Sequence, residues 1–98
     1  MVSTRCKALG PLTTISASVA VTVTWPELTD FLLVHPVGHD LSVTYDGTTP
    51  TATLGFIIFK DQTSEVYVGP EMVIKMIAKS DDPVINIQPF RKLADVNT

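Results

Sequence analysis

The stretch Val19-Ala-Val-Thr-Val-Thr-Trp25 places bulky apolar side chains at odd positions and Ala or Thr at even positions. Successive side chains of a β-strand point to opposite sides, so alternation with period two predicts a strand with one buried face. Pro26 follows, and proline has no amide to donate to a sheet ladder. The sequence therefore predicts a half-buried strand that ends at Trp25, followed by a turn over residues 26–30.

The same pattern continues along the chain. Residues 41–45 alternate again, whereas the runs 31–34 and 56–59 are wholly apolar, which predicts strands covered on both faces. We expect the first of these runs to end at His35-Pro36. Shorter strands are predicted at residues 13–16, 66–68 and 84–87, the last ending before Pro89. Seven or eight short strands separated by turn residues predict a small, single-domain, all-β protein: an antiparallel β-sandwich or jelly-roll-like barrel.

The segment 71–79 fits two structures. Glu71, Lys75 and Lys79 are spaced four residues apart and would form one polar face of a helix. With period two, Met72, Ile74, Met76 and Ala78 instead share one face of a strand. We favour the strand, because nine residues is short for a helix and strand-like segments lie on both sides.

Composition limits the class of protein. Thr, Val and Ile together account for 32 of the 98 residues, which favours sheet, and 45% hydrophobic residues exclude a disordered chain. The formal net charge of −3 argues against a nucleic-acid binder. We expect no membrane span, since no apolar run approaches 18 residues, and no cleaved export signal, since Gly10 and Pro11 interrupt the early apolar residues.

The basic residues are concentrated towards the two ends. We divide the chain into an N-terminal arm at residues 1–12, a β-sandwich domain at 13–90 and a C-terminal tail at 91–98. Arg5 and Lys7 lie in the arm, and Arg91 and Lys92 in the tail, which accounts for four of the seven Lys and Arg residues. The single cysteine, Cys6, excludes an intrachain disulfide.

Two groups of residues resemble catalytic or metal sites. His35, His39 and Asp40 are ligand types for zinc, but Pro36 and Gly38 between the imidazoles indicate a turn in which the rings need not converge. Two pairs of neighbouring carboxylates lie beside prolines, where Asp and Glu are common for backbone reasons: Glu27 with Asp30, and Asp81 with Asp82. We therefore expect no enzyme activity, no cofactor and no metal.

The string Asp46-Gly-Thr-Thr-Pro50 is the most distinctive in the chain. It fits a hairpin connection in which Gly47 takes a positive φ and the Asp46 side chain caps the turn. Its hydroxyl groups and carboxylate would alternatively suit a ligand such as a sugar. Trp25 and Tyr45, each at the end of an alternating strand, are candidate interface aromatics, with packing at the rim of the core as the alternative.

The order of these segments resembles a known group of proteins. A Ser/Thr-rich first strand is followed by Val-Ala-Val-Thr-Val-Thr-Trp25-Pro26, a buried strand, Leu41-Ser-Val-Thr-Tyr45-Asp-Gly-Thr-Thr-Pro50, an apolar strand, Ile74-Lys-Met-Ile-Ala78 and Val84-Ile-Asn-Ile87. From about Thr13 to Arg91, this order resembles the small all-β virion proteins of tailed bacteriophages.

The resemblance implies a non-enzymatic structural role, as a capsid decoration or cement protein on the outside of the virion. Its partners would be the major capsid protein or other virion proteins, and it would form a homo-oligomer in the assembly after synthesis in the bacterial host cytoplasm. We expect Arg5, Lys7, Arg91 and Lys92 to steer the ends of the chain onto an acidic capsid surface. Alternatives are a neck, tail or fibre-attachment protein of the same virion, a carbohydrate- or peptide-binding module, and a metal-dependent enzyme.

Overall fold

A computed structural model describes residues 6–51, 53–78 and 83–93 of the chain. These residues form nine β-strands, where the sequence predicts seven or eight, and no helix among them could span a membrane. The strands are β1 (Cys6–Ala8), β2 (Thr13–Ile15), β3 (Val21–Val23), β4 (Phe31–Val37), β5 (Leu41–Thr44), β6 (Phe56–Ile58), β7 (Ser64–Tyr67), β8 (Ile74–Ala78) and β9 (Val84–Lys92).

The strands form two antiparallel sheets, which confirms the predicted all-β, single-domain architecture. The large sheet has the order β1-β9-β4-β7, and β2 also pairs with β9. The small sheet has the order β3-β8-β5-β6. Consecutive strands often change sheet, for example from β4 to β5 and from β6 to β7, so the two layers form a sandwich.

The core lies between the sheets and follows from the alternation of side chains along each strand. From the large sheet, Leu32, Val34, Val66, Ile85 and Ile87 are buried. From the small sheet the buried residues are Val23, Leu41, Val43, Ile58, Ile74, Met76 and Ala78.

Two prolines lie inside the longest strands, so the predicted strand ends at His35-Pro36 and before Pro89 are wrong. The Pro36 carbonyl accepts the Asp61 amide at 2.8 Å, and the Pro89 carbonyl accepts the Leu9 amide at 3.0 Å. In an antiparallel pair the N–H and C=O of one residue point the same way. The missing N–H of Pro36 would point to the β7 side, beyond the last β4–β7 pair, so no ladder hydrogen bond is lost there. The missing N–H of Pro89 would point to the side of β1 and β2, in the interval between the residues that pair with these two strands.

Three other predicted segments have clear outcomes. The strand from Val19 to Trp25 is restricted to Val21–Val23, and Val19 is exposed. In the ambiguous segment 71–79, residues 74–78 form strand β8, as favoured. The prediction that residues 56–59 are covered on both faces is wrong: β6 is an edge strand, and Ile58 alone among these four residues is buried.

The pairing of β1 with β9 places the two ends of the described chain in one sheet. Cys6–Ala8, from the predicted arm, forms β1, and β9 extends through Arg91 and Lys92 of the predicted tail. Residues that are distant in sequence are therefore neighbours at this edge.

Candidate interaction surfaces

Basic side chains from both ends of the chain meet at the β1–β9 edge. Lys7 is the register partner of Arg91, and Lys92 is the partner of Cys6. Directly opposed side chains on neighbouring strands have Cβ atoms about 5 Å apart, so two cations lie side by side. Lys92 follows Arg91 along β9, so its side chain lies on the opposite face of this edge, over Tyr67. We call Lys7, Arg91 and Lys92 the basic cluster. Arg5, the fourth predicted member, lies outside the described residues.

Lys92 is held in place by two contacts. Its amide donates a 2.7 Å hydrogen bond to the Asp30 carboxylate. Its ammonium lies 4.7 Å from the centroid of the Tyr67 ring, within the range of a cation–π contact. The basic cluster therefore rests on ordered strand backbone, with one member oriented by an aromatic ring.

The β6 edge strip, which we define as Leu54, Phe56, Ile57 and Phe59, is the most concentrated apolar surface of the described chain. These side chains are 51, 70, 44 and 60% exposed, respectively. Edge strands carry unpaired backbone groups, and proteins commonly protect them with charges, prolines or bulges. Residues 54–59 contain no charged residue and no proline, so this edge is open to association.

The turn after β5 forms a concavity beside this strip. The Asp46 carboxylate accepts the Thr48 amide at 3.0 Å, and Gly47 has φ 87°. This is the predicted hairpin-turn geometry. The hydrogen bond from the Thr48 amide lowers the pKa of Asp46. The Thr44 hydroxyl donates to the Thr48 carbonyl, so the turn folds back on to its own strand.

Tyr45 and Phe56 form the aromatic wall of the concavity. Their ring centroids are 5.7 Å apart and the planes are tilted by 41°. Tyr45 is half-buried and packs against the core, and burial raises its pKa above the ordinary 10.0. The concavity has a volume of about 430 Å³, with Leu54 and Asp46 also at its wall. Tyr45 is therefore at the rim of the core and lines an open surface at the same time.

Trp25, the other aromatic candidate, is half-buried and packs against the core. It borders a second concavity of about 590 Å³, formed with the turn that follows. In that turn the Thr29 amide and hydroxyl both donate to the Pro26 carbonyl, at 3.3 and 2.7 Å. Leu28, at the third position of the turn, has φ 70° and is mostly exposed.

The histidines do not form a site with each other. His35 Nδ1 is 2.9 Å from the Thr63 hydroxyl, and His39 Nε2 is buried without a hydrogen-bond partner in the described part of the chain. Asp40 accepts the Lys60 amide at 2.9 Å. Within residues 6–51, 53–78 and 83–93, no three His, Cys, Asp or Glu side chains are grouped closely enough to hold a metal ion.

The carboxylates considered as catalytic pairs are placed in turns or lie outside the described ranges. Glu27 is exposed in the turn after Trp25, while the Asp30 carboxylate accepts the Lys92 amide. Asp81 and Asp82 lie outside the described residues.

Sequence reasoning missed the β6 edge strip and Lys92's contact with Tyr67. The run Phe56-Ile-Ile-Phe59 is as apolar as the buried run Phe31-Leu-Leu-Val34, and strand order alone separates the two.

Comparison of the chain with protein-family models, with curated proteins and with solved structures found no match.

Proposed function

We propose that this chain is a non-enzymatic virion structural protein, of the decoration or cement kind, that attaches to the outer surface of a tailed-bacteriophage head. The observation that carries the proposal is the basic cluster, in which β1–β9 pairing brings Lys7 beside Arg91, with Lys92 next along β9 on the opposite face of the sheet. The kind of assembly, a phage virion, is inferred from the order of segments, which resembles that of small all-β phage virion proteins.

The basic cluster suits an acidic protein surface. Like charges directly opposed on neighbouring strands destabilise a sheet by a few tenths of a kcal/mol to about 1 kcal/mol, and a carboxylate of a partner would relieve that repulsion. The whole chain is acidic, with a net charge of −3. Its positive side chains therefore orient it, since one edge is attracted to an acidic capsid while the rest is repelled.

Attachment does not need a strong single contact. A head presents many equivalent sites, and several linked copies bind more tightly than one because the later contacts are intramolecular. A modest interface per copy, below about 1,200 Å² of total buried surface, then suffices for stable decoration.

The experiment is co-sedimentation of the purified chain with heads assembled without it, at about 50 mM and about 500 mM salt. We expect binding at low salt that weakens at least tenfold at high salt, because exposed charges are screened. The double variant Lys7→Glu/Arg91→Glu should lose binding, whereas Lys60→Glu, which changes an exposed lysine in the turn after β6, should retain it.

Two results would contradict the proposal: no binding to heads under any condition, or equal binding by the double variant and the parent chain. Urea unfolding of each variant distinguishes lost contact from lost fold. Electron microscopy of labelled chain on whole particles tests the alternative location, at the neck, tail or fibre attachment point of the same virion.

A second candidate function, carbohydrate binding, is favoured by the concavity at the end of β5. Tyr45 and Phe56 supply aromatic faces, and the Asp46 carboxylate and Thr48 lie beside them. A sugar would stack on the rings and bond to the carboxylate. Saturable binding on a glycan array that is lost in Phe56→Ser, but kept in Phe59→Ser, would support this function in place of decoration.

A further inference from the structure

The small sheet ends with an inward-facing residue, Phe56, that the rest of the described chain leaves mostly exposed. Phe56, Val43, Met76 and Val21 form one row across β6, β5, β8 and β3. Val43 and Met76 are fully buried, Val21 is half-buried, and Phe56 at the end of the row is 70% exposed. The core therefore covers Ile58 of β6 but leaves the core-facing position of Phe56 open.

The backbone of β6 has one set of groups directed at the free edge. Val43 is the register partner of Phe56, and its N and O atoms lie on the β6 side, 3.3 and 3.1 Å from a Cβ added at Gly55. Val43 and Phe56 therefore form a hydrogen-bonded pair, and because backbone groups alternate in direction along a strand, the amides of Phe56 and Ile58 both face β5. The N–H and C=O of Ile57 then point outwards, away from the sheet.

We propose that β6 pairs with β6 of a second copy of this chain, antiparallel, about a two-fold axis at Ile57. The two Ile57 residues exchange two backbone hydrogen bonds, and Phe56 lies across from Ile58 of the second copy. This pairing continues the small sheet from one copy into the next. It covers Phe56 on the inner face and Ile57 on the outer face.

The β6 sequence is complementary to itself in this register. Phe59 lies across from Gly55, which has no side chain to obstruct the ring. Lys60 lies across from Leu54, so no like charges meet and the lysine stem can pack on an apolar side chain. Phe56, Ile57 and Phe59 thus gain an apolar or small neighbour, and Leu54 gains the lysine stem.

The exposed area sets the strength of this contact. The β6 edge strip exposes roughly 400 Å² of apolar surface per copy, given that a large aromatic side chain offers about 150–250 Å². Two copies bury about twice that, which falls below the 1,200–2,000 Å² of stable interfaces and within the transient class. We therefore expect a dissociation constant between about 10 μM and 1 mM. The proposal is independent of capsid attachment, which uses the opposite sheet.

The experiment is analytical ultracentrifugation of the full chain from about 10 μM to about 1 mM. The average mass should rise from 10.6 kDa towards twice that value. Ile57→Lys places two cations at the two-fold axis and should weaken association at least tenfold. Val19→Lys, an equally drastic change at an exposed apolar residue away from β6, should associate like the parent chain.

Amide hydrogen exchange gives a second readout that a change of fold does not mimic. The amides of Phe56 and Ile58 should be protected at every concentration, because they face β5, whereas protection of the Ile57 amide should appear only as dimer forms. A parent chain that stays monomeric at about 1 mM, or an Ile57→Lys variant that associates as the parent does, overturns the proposal. Failure of the chain to bind heads would not affect the dimer proposal. A chain that stays monomeric but still binds heads would contradict the dimer proposal and leave the proposed function intact.

Discussion

The rings of Phe31 and Phe90 stack on the outer face of the large sheet, with centroids 5.4 Å apart and planes 6° from parallel. The two residues are register partners on β4 and β9. Tyr67, the partner of Phe31 on β7, adds a ring at 5.8 Å. Phe31 is 5% exposed although its neighbour Leu32 faces the core, so aromatic side chains bury a residue at a solvent-facing position.

This stack predicts that Phe31 contributes to stability as a core residue does. Phe31→Ala should lower the free energy of unfolding by about 3 kcal/mol, since it removes a buried ring and leaves a gap between Tyr67 and Phe90. Phe59→Ala, at an exposed phenylalanine, should cost below about 0.5 kcal/mol. Urea unfolding followed by tryptophan fluorescence measures both. Equal losses would show that the stack does not bury Phe31 in solution.

The turn Pro26–Thr29 predicts a stabilising substitution. Its hydrogen bond from Thr29 to Pro26 and the φ of 70° at Leu28 correspond to a type II turn, whose third position favours Gly or Asn. Leu28→Asn should raise the free energy of unfolding by up to about 1 kcal/mol, because a left-handed conformation costs an ordinary side chain about that much. Leu12→Asn, also at an exposed leucine but without a positive φ, should change stability by less than about 0.5 kcal/mol. A destabilising Leu28→Asn would contradict the assigned turn.

Substitutions at two glycines allow the cost of backbone strain to be measured separately from the cost of a steric clash. Gly38 has φ 78° and no atom within 4 Å of an added Cβ, so Gly38→Ala should cost about 1 kcal/mol from conformation alone. Gly55 has φ 136°, and an added Cβ would lie 3.1 Å from the Val43 carbonyl oxygen. Gly55→Ala should therefore lose clearly more stability, about 2 kcal/mol or above. Thermal unfolding ranks the two variants, and the reverse order would show that β5 and the loop before β6 do not approach closely.

Asp46 predicts a dependence of stability on acid pH. The hydrogen bond from the Thr48 amide lowers the pKa of Asp46 below its ordinary 3.8. Because the pKa is lower in the folded chain than in the unfolded chain, ionised Asp46 stabilises the fold at pH values above its unfolded pKa. That stabilisation is lost as the pH falls through the pKa of the folded chain. Between about pH 5 and 2, the parent chain should lose more stability than Asp46→Asn, which keeps an acceptor oxygen but does not titrate. Parallel pH profiles of the urea midpoint would contradict this.

Tyr45 predicts an effect at the alkaline end. Burial raises the pKa of its phenol above 10.0, so the unfolded chain loses this proton at a lower pH than the folded chain does. Stability is unaffected below about pH 10 and falls above it. Tyr45→Phe removes the ionisable hydroxyl, so the free energy of unfolding of this variant should decline less steeply above pH 10. The ultraviolet titration of tyrosinate absorbance should also show one group that ionises later than free tyrosine, and its absence from the parent chain would refute the burial of Tyr45.

The strands that were predicted correctly owe their placement to local pattern. Residues 41–44 alternate large apolar and small polar side chains, as an extended backbone with one buried face favours. In residues 74–78 the inward positions Ile74, Met76 and Ala78 follow the same period of two. The Asp46-Gly47 turn was equally predictable, because a positive φ is inexpensive for glycine and the aspartate caps the next amide within two residues. These interactions span few residues and need no knowledge of the rest of the chain.

The tertiary structure alone decided where the candidate surfaces lie. Lys7 and Arg91 become neighbours through a pairing that joins residues 84 apart in sequence, as the β1–β9 register specifies. Phe31 and Phe56 belong to apolar runs of the same type, yet β4 pairs on both sides and β6 on one. The side-chain period determines which face a residue occupies, whereas its burial depends on what packs over that face, and this is set by strand order across the whole fold.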